Sequence, residues 1–159
     1  ELALKIPAKQ EEILAKQLEN TKNPDRKERL SFVMPALSDN QNVRDEFFES
    51  LRQEKNREHE PWVLEALSYL HHPLRAESSI SYLRPSLGLL QEVQLTGDIF
   101  FPQRWLHTTF EGHTSKQALD SVNAFLKENS GYPPYLENKI LQAIDLLNRA
   151  VILKGPAIE

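Results

Sequence analysis

The chain has 159 residues, 23 acidic and 19 basic, for a net charge of −4, with the two signs mixed along its length so that no basic tract exists to neutralise a phosphate backbone. No apolar run is long enough to cross a bilayer, and neither nucleic acid nor a membrane span is expected. The absence of cysteine excludes a disulfide scaffold, a thiolate zinc site and a cysteine nucleophile, and it fits a reducing or an oxidising compartment equally.

The length fits one domain over residues 1–159, burying roughly 70% of the surface its unfolded form exposes. The chain starts at Glu1-Leu-Ala-Leu-Lys5 with no initiator methionine and no charged-then-apolar secretion signal, which reads as a piece excised from a longer polypeptide. Positions 1–6 carry no sign of a protected domain edge. Pro7 suits a first helical turn, and Ile13, Leu14 and Leu18 give the segment to Asn20 a modest apolar face.

Asn23-Pro24-Asp25 is a stronger start, with Asn23 as N-cap, Pro24 at the first helical position and Asp25 favourable to the helix dipole. Leu30, Val33, Met34 and Leu37 share the face that follows, until Pro35 forces a kink or an end by removing a backbone donor. Ser38 and Gln41 match a capping box, after which Val43, Phe47, Phe48 and Leu51 form a stripe. Arg52 to Glu60 has no apolar residue and reads as a charged helix end plus a solvated connection. Pro61 opens the next helix, striped by Val63, Leu64, Leu67 and Leu70, and His71-His72-Pro73 breaks it.

Ile80, Leu83, Leu87 and Leu90 define a further face, weakened by Pro85 and Gly88 and closed by a left-handed Gly97. Leu106 and Phe110 mark the helix from Pro102, with Gly112 as its C-cap glycine. Thr114 and Gln117 match a second capping box before the stripe Ala118, Val122, Phe125 and Leu126. Tyr132-Pro-Pro-Tyr135 dictates a rigid extended turn, and Leu136, Ile140, Ile144 and Leu147 predict one last long helix ending near Arg149. The sum is an all-α chain of about eight helices in antiparallel pairs, spaced as in HEAT and armadillo units. A curved helical stack is expected, with a compact bundle as the alternative.

Chemistry is sparse. His59-Glu60 lacks the second histidine of H-E-x-x-H, and there is no nucleophile elbow, P-loop or dinucleotide fingerprint. His107, Glu111 and His113 form the nearest approach to a metal constellation, but the set lacks a fourth ligand, and a histidine near a helix end serves the dipole. His71-His72 reads as a helix exit, because adjacent side chains on a helix do not converge. Phe100, Phe101, Trp105 and Phe110 are spaced for packing between helices, as are Trp62 and Tyr69. Arg104 and Arg149 are arginines that can take a carboxylate in two-pronged fashion or sit in solvated salt bridges.

Several strings together resemble the carboxy-terminal helical domain of aminopeptidase N-like zinc metallopeptidases, particularly a bacterial branch. They begin with Asn23-Pro-Asp25, Phe32-Val-Met-Pro-Ala-Leu-Ser38, Glu60-Pro-Trp-Val-Leu-Glu-Ala-Leu67 and Leu70-His-His-Pro-Leu-Arg75. Gly97-Asp-Ile-Phe-Phe-Pro-Gln-Arg-Trp-Leu106, Gly112-His113, Tyr132-Pro133 and Lys139-Ile-Leu-Gln-Ala143 follow in the same order, so the likeness runs from about Pro7 to Ala150. The resemblance implies a non-catalytic domain that walls the active-site chamber of a larger enzyme and limits peptide access, by steric selection and water exclusion.

It implies no cofactor and no metal ligand in this chain, with zinc held by the catalytic domain of the same polypeptide, and as partners that domain and the peptide substrates of the parent enzyme. Arg104, His107 and His113 are the candidate chamber-facing polar groups. A free-standing helical-repeat scaffold for protein binding is the alternative function, and a small independent enzyme is disfavoured. A scaffold should present a groove of its own, whereas a domain taken from a peptidase should expose an apolar face where neighbours belong.

Overall fold

The computed structural model describes residues 2–155. Among the described residues every regular element is helical: ten α-helices and four short 3-10 turns, with no strand. The all-α expectation holds, and the helix number is ten rather than about eight. The chain divides into two compact units, one ending at Leu70 and one beginning at His71.

The first unit contains α1 (Leu2–Lys5), α2 (Gln10–Asn20), α3 (Pro24–Leu37), α4 (Gln41–Ser50) and α5 (Glu60–Leu70). Helix α3 starts where the sequence dictates: the Asn23 carboxamide oxygen accepts the Arg26 N–H at 3.0 Å, and Pro24 occupies the first turn at no hydrogen-bond cost. Pro35 is tolerated inside α3 because the helix stops two residues later, where the Ser38 N–H donates to the Pro35 carbonyl at 3.1 Å. Ser38 is therefore a C-cap, not the N-cap expected. Asn40 caps α4 by accepting the Asn42 N–H at 3.0 Å, while the Ser38 hydroxyl accepts the Asn40 N–H at 3.2 Å.

The core of this unit gathers Val33, Ala36, Phe47, Phe48, Leu51, Val63, Ala66, Leu67 and Leu70, all buried. Each fully buried large side chain among them contributes roughly 1.5–3 kcal/mol relative to exposure. Helix α3 packs against both α4 and α5, and Phe32 meets Phe47 edge-on at 5.6 Å between ring centroids.

Two expectations fail here. The start of the chain expected to be unprotected is not an open edge at Ala3 and Leu4, which are buried in a cluster with Leu14 and Leu37. The segment Arg52 to Glu60 is not wholly solvated, because Arg57 lies buried in a 3-10 turn and donates from Nη1 to the Leu51 carbonyl at 2.5 Å.

A 3-10 turn at Pro73–Arg75 and another at Ile80–Tyr82 open the second unit, followed by α6 (Leu83–Thr96), α7 (Phe101–Phe110), α8 (Lys116–Glu128), α9 (Pro134–Ala143) and α10 (Asp145–Lys154). Pro85 falls in the first turn of α6, where its missing donor has no intrahelical partner to lose, so it does not weaken the middle of the helix. Gly97 ends α6 in an extended conformation, φ −92° and ψ 172°, instead of the left-handed one expected. Ser115, one residue after the expected Thr114, caps α8 by accepting the Ala118 N–H at 3.2 Å.

The predicted last long helix is two, broken at Ile144, whose φ of −88° and ψ of 4° depart from helical values. The break keeps both Ile144 and Leu147 in the core. At the other end of α9, the Tyr132 hydroxyl donates to the Leu87 carbonyl at 2.9 Å, tying the turn before the helix to α6. Burial, with Tyr135 nearby, pushes that phenol up to about 12.

Candidate functional site

The candidate polar groups all stem from α7 and the turn after it. This helix is amphipathic: Phe101, Trp105, Leu106, Thr109 and Phe110 are buried. The Trp105 indole N–H donates to the Ser86 carbonyl at 3.2 Å, and the Thr109 hydroxyl to the Trp105 carbonyl at 2.8 Å, so the polar atoms of this packed face are satisfied. The packing expected of Phe101, Trp105 and Phe110 is borne out. Phe100 instead stands exposed, with the Arg104 guanidinium carbon 6.0 Å from its ring centroid.

Arg104, His107 and Glu111 then follow at helical spacing along the solvent side of α7. The His107 Nδ1 lies 3.2 Å from Glu111 Oε2, with the two side chains 64% and 46% exposed. Arg149 likewise joins an exposed pair, with Asp145 at 2.8 Å.

His113 goes the other way. The chain leaves α7 through a turn in which the His113 N–H donates to the Phe110 carbonyl at 3.0 Å, and its ring is buried at 2% exposure. His113 Nε2 sits 3.0 Å from His71 Nδ1, and the rings meet at 65° with centroids 5.2 Å apart. On its other side the His71 ring meets the edge of Tyr82 at 6.2 Å. Gly112 makes this approach possible: a Cβ there would lie 1.7 Å from the His71 carbonyl oxygen. It follows the helix end as expected, and its role there is steric clearance, since Gly155 alone among the described residues has a positive φ.

One hydrogen bond between two neutral imidazoles leaves one nitrogen on each ring over, and His71 Nε2 and His113 Nδ1 are buried with no hydrogen-bond partner among the described residues. Burial lowers the His113 pKa to about 4, and burial with the adjacent His113 holds His71 well below 6.5. Both rings are therefore neutral at pH 7 in this buried setting.

The structure thus separates what the sequence grouped. Arg104 and His107 share an outer ridge, whereas His113 is withdrawn to the interior with His71. The supposed constellation of His107, Glu111 and His113 does not assemble, and no group of three or more metal-ligating side chains occurs among the described residues. His72 does act at the helix exit, its Nδ1 accepting the Leu74 N–H at 3.2 Å. The pairing of His71 is not legible in the sequence, because no local pattern signals a partner that arrives from beyond α7.

No family model, curated protein or solved structure matches this chain.

Proposed function

We propose that this chain is the non-catalytic helical domain of an aminopeptidase N-like zinc peptidase, with helices paired in the HEAT or armadillo manner, walling the substrate chamber and limiting access to it. The reading starts from the collinear strings between about Pro7 and Ala150. The observation that carries it is the exposure of large apolar side chains on regular elements. In the second unit Leu95, Ile99 and Phe100 stand out where α6 turns into α7, and Leu146 and Leu153, two helical turns apart, lie on the outer side of α10.

Leu153 is 86% exposed and Leu95 82%. Leaving such groups in water forgoes roughly 1.5–3 kcal/mol each, a loss that covering by a neighbouring domain removes. In this arrangement Arg104 and His107 are the polar groups offered to the chamber, and His113 supports the turn behind them. Zinc and the bond-breaking residues belong to the catalytic domain of the same polypeptide.

The test is to read the coding frame ahead of Glu1. H-E-x-x-H with a further glutamate downstream is the expected result, and a frame without it removes the proposal. Amino-acid anilides incubated with the isolated chain, with and without zinc, should show no turnover; clear hydrolysis contradicts the non-catalytic role.

A further inference from the structure

The first unit contains a cleft whose charge runs against that of the whole chain. It lies among α2, α3 and α5, has a volume of about 630 Å³, and is floored by Leu30, Val33 and Leu37. That volume is in the range of sites that hold small ligands or short peptide segments. Lys22, Arg26 and Arg29 line it, against Glu65 as its one carboxylate.

Glu65 is already committed on both oxygens: Oε2 takes the Arg29 Nε–H at 2.5 Å and Oε1 the Tyr69 hydroxyl at 3.0 Å. This contact engages Arg29 through Nε, and its two terminal nitrogens make no hydrogen bond to another side chain or carbonyl among the described residues. The side chains of Lys22 and Arg26 have no partner among the described residues. In a chain of net charge −4, this is a local excess of positive charge beside an apolar floor.

We propose that this cleft binds a peptide segment presenting an acidic side chain next to an apolar one. The carboxylate sits between Arg26 and the free edge of Arg29 with Lys22 at the rim, where charge-assisted, two-pronged bonds are strongest. The apolar neighbour covers Leu30 and Val33. Gln17 and Asn20 also line the cleft and carry carboxamides that can supply donors and acceptors for the main chain of the segment, which favours a peptide over a free small carboxylate.

The site does not rest on the peptidase reading, and the probe is chosen to keep the two apart. It is a pentapeptide, Ala-Leu-Glu-Phe-Ala, acetylated and amidated so that neither terminus is charged, titrated into the whole ¹⁵N-labelled chain. Expected are chemical-shift changes confined to the end of α2 with the turn to Asn23, the stretch of α3 from Arg26 to Leu37, and α5 from Glu65 to Tyr69, with an affinity that falls as salt is raised. The double variant Lys22→Gln, Arg26→Gln, at exposed positions, should bind about tenfold more weakly. Glu65→Gln should bind more tightly, because the resident carboxylate no longer competes for Arg29. Equal binding of the peptide with Gln in place of Glu, equal binding of glutarate, or an unchanged affinity in the double variant overturns the proposal.

Discussion

His107 and His113 leave the same helix and its turn a few residues apart, yet one stands in water and the other is sealed inside the second unit. His107 is held by α7, so its direction follows from helical spacing, and its pairing with Glu111 is the ordinary one for residues a turn apart. His113 is past the last turn, and its direction is decided by Gly112, the one residue type that lets the chain pass so near the His71 carbonyl. A helix exposes what its period dictates, whereas a turn exposes what its tightest contact permits. Nominally similar side chains therefore become a solvated histidine–carboxylate contact in one case and a neutral, half-satisfied buried pair in the other.

The contrast can be broken most forcefully at the turn. Gly112→Ala places a methyl group 1.7 Å from the His71 carbonyl oxygen, a backbone atom that has no flexible end to swing aside, so the Gly112 turn must move away from His71. A loss of roughly 3 kcal/mol or more is expected. It should be read as a lowered urea midpoint in Trp105 fluorescence, with Trp62→Phe removing the other indole. A midpoint within a few tenths of a molar of the parent would show that the approach is not constrained.

Acid should act next. An unfolded histidine titrates near 6.5, while burial holds His113 at about 4, so between these values the unfolded chain binds protons that the folded chain refuses. Stability is complete above pH 6.5 and falls as pH is lowered toward 4, by on the order of 3 kcal/mol for His113 alone. His71, held low by burial and then by His113, adds to the same slope. Replacing the pair together, His71→Leu with His113→Leu, should flatten this part of the profile, since removing both partners leaves no orphaned polar atom. A slope that survives the double replacement places the acid sensitivity elsewhere.

The smallest effect sharpens the comparison from the other side. His107→Ala on the exposed ridge should change stability by no more than about 0.5 kcal/mol. Any difference should shrink in high salt. A larger, salt-insensitive loss would mean that the ridge is not merely solvated.

Much of the architecture was legible, and the manner in which it was legible explains the errors. Stripes such as Leu83, Leu87 and Leu90 report one buried face of a helix, and the Asn23-Pro24 start is fixed by chemistry within a single turn. Caps were less secure where several short polar side chains adjoin. Ser38 and Asn40, or Thr114 and Ser115, are equivalent in composition, and the geometry of the preceding loop selects between them.

The break at Ile144 left no mark, because apolar spacing continues through it from Ile140 to Leu147. The two-histidine contact was invisible for a deeper reason, since its members lie on either side of four intervening elements. The cleft of the first unit was equally hidden: Lys22, Arg26, Arg29 and Glu65 look in sequence like scattered surface charge, and only the packing of α3 on α5 brings the last two together.

At the start of the chain one amide side chain acts as a splice. Gln10, 2% exposed, donates from Nε2 to the carbonyls of Ala3 at 3.2 Å and Leu37 at 2.6 Å, while its Oε1 receives the Asp39 N–H at 2.5 Å. Three stretches of backbone thus share a single fastener, and the release of any one leaves a buried polar group short of a partner, which weakens the hold on the other two. Opening there should be a joint event, with the amides of α1, the tail of α3 and Asp39 exchanging their hydrogens in concert and not fraying one after another from the end.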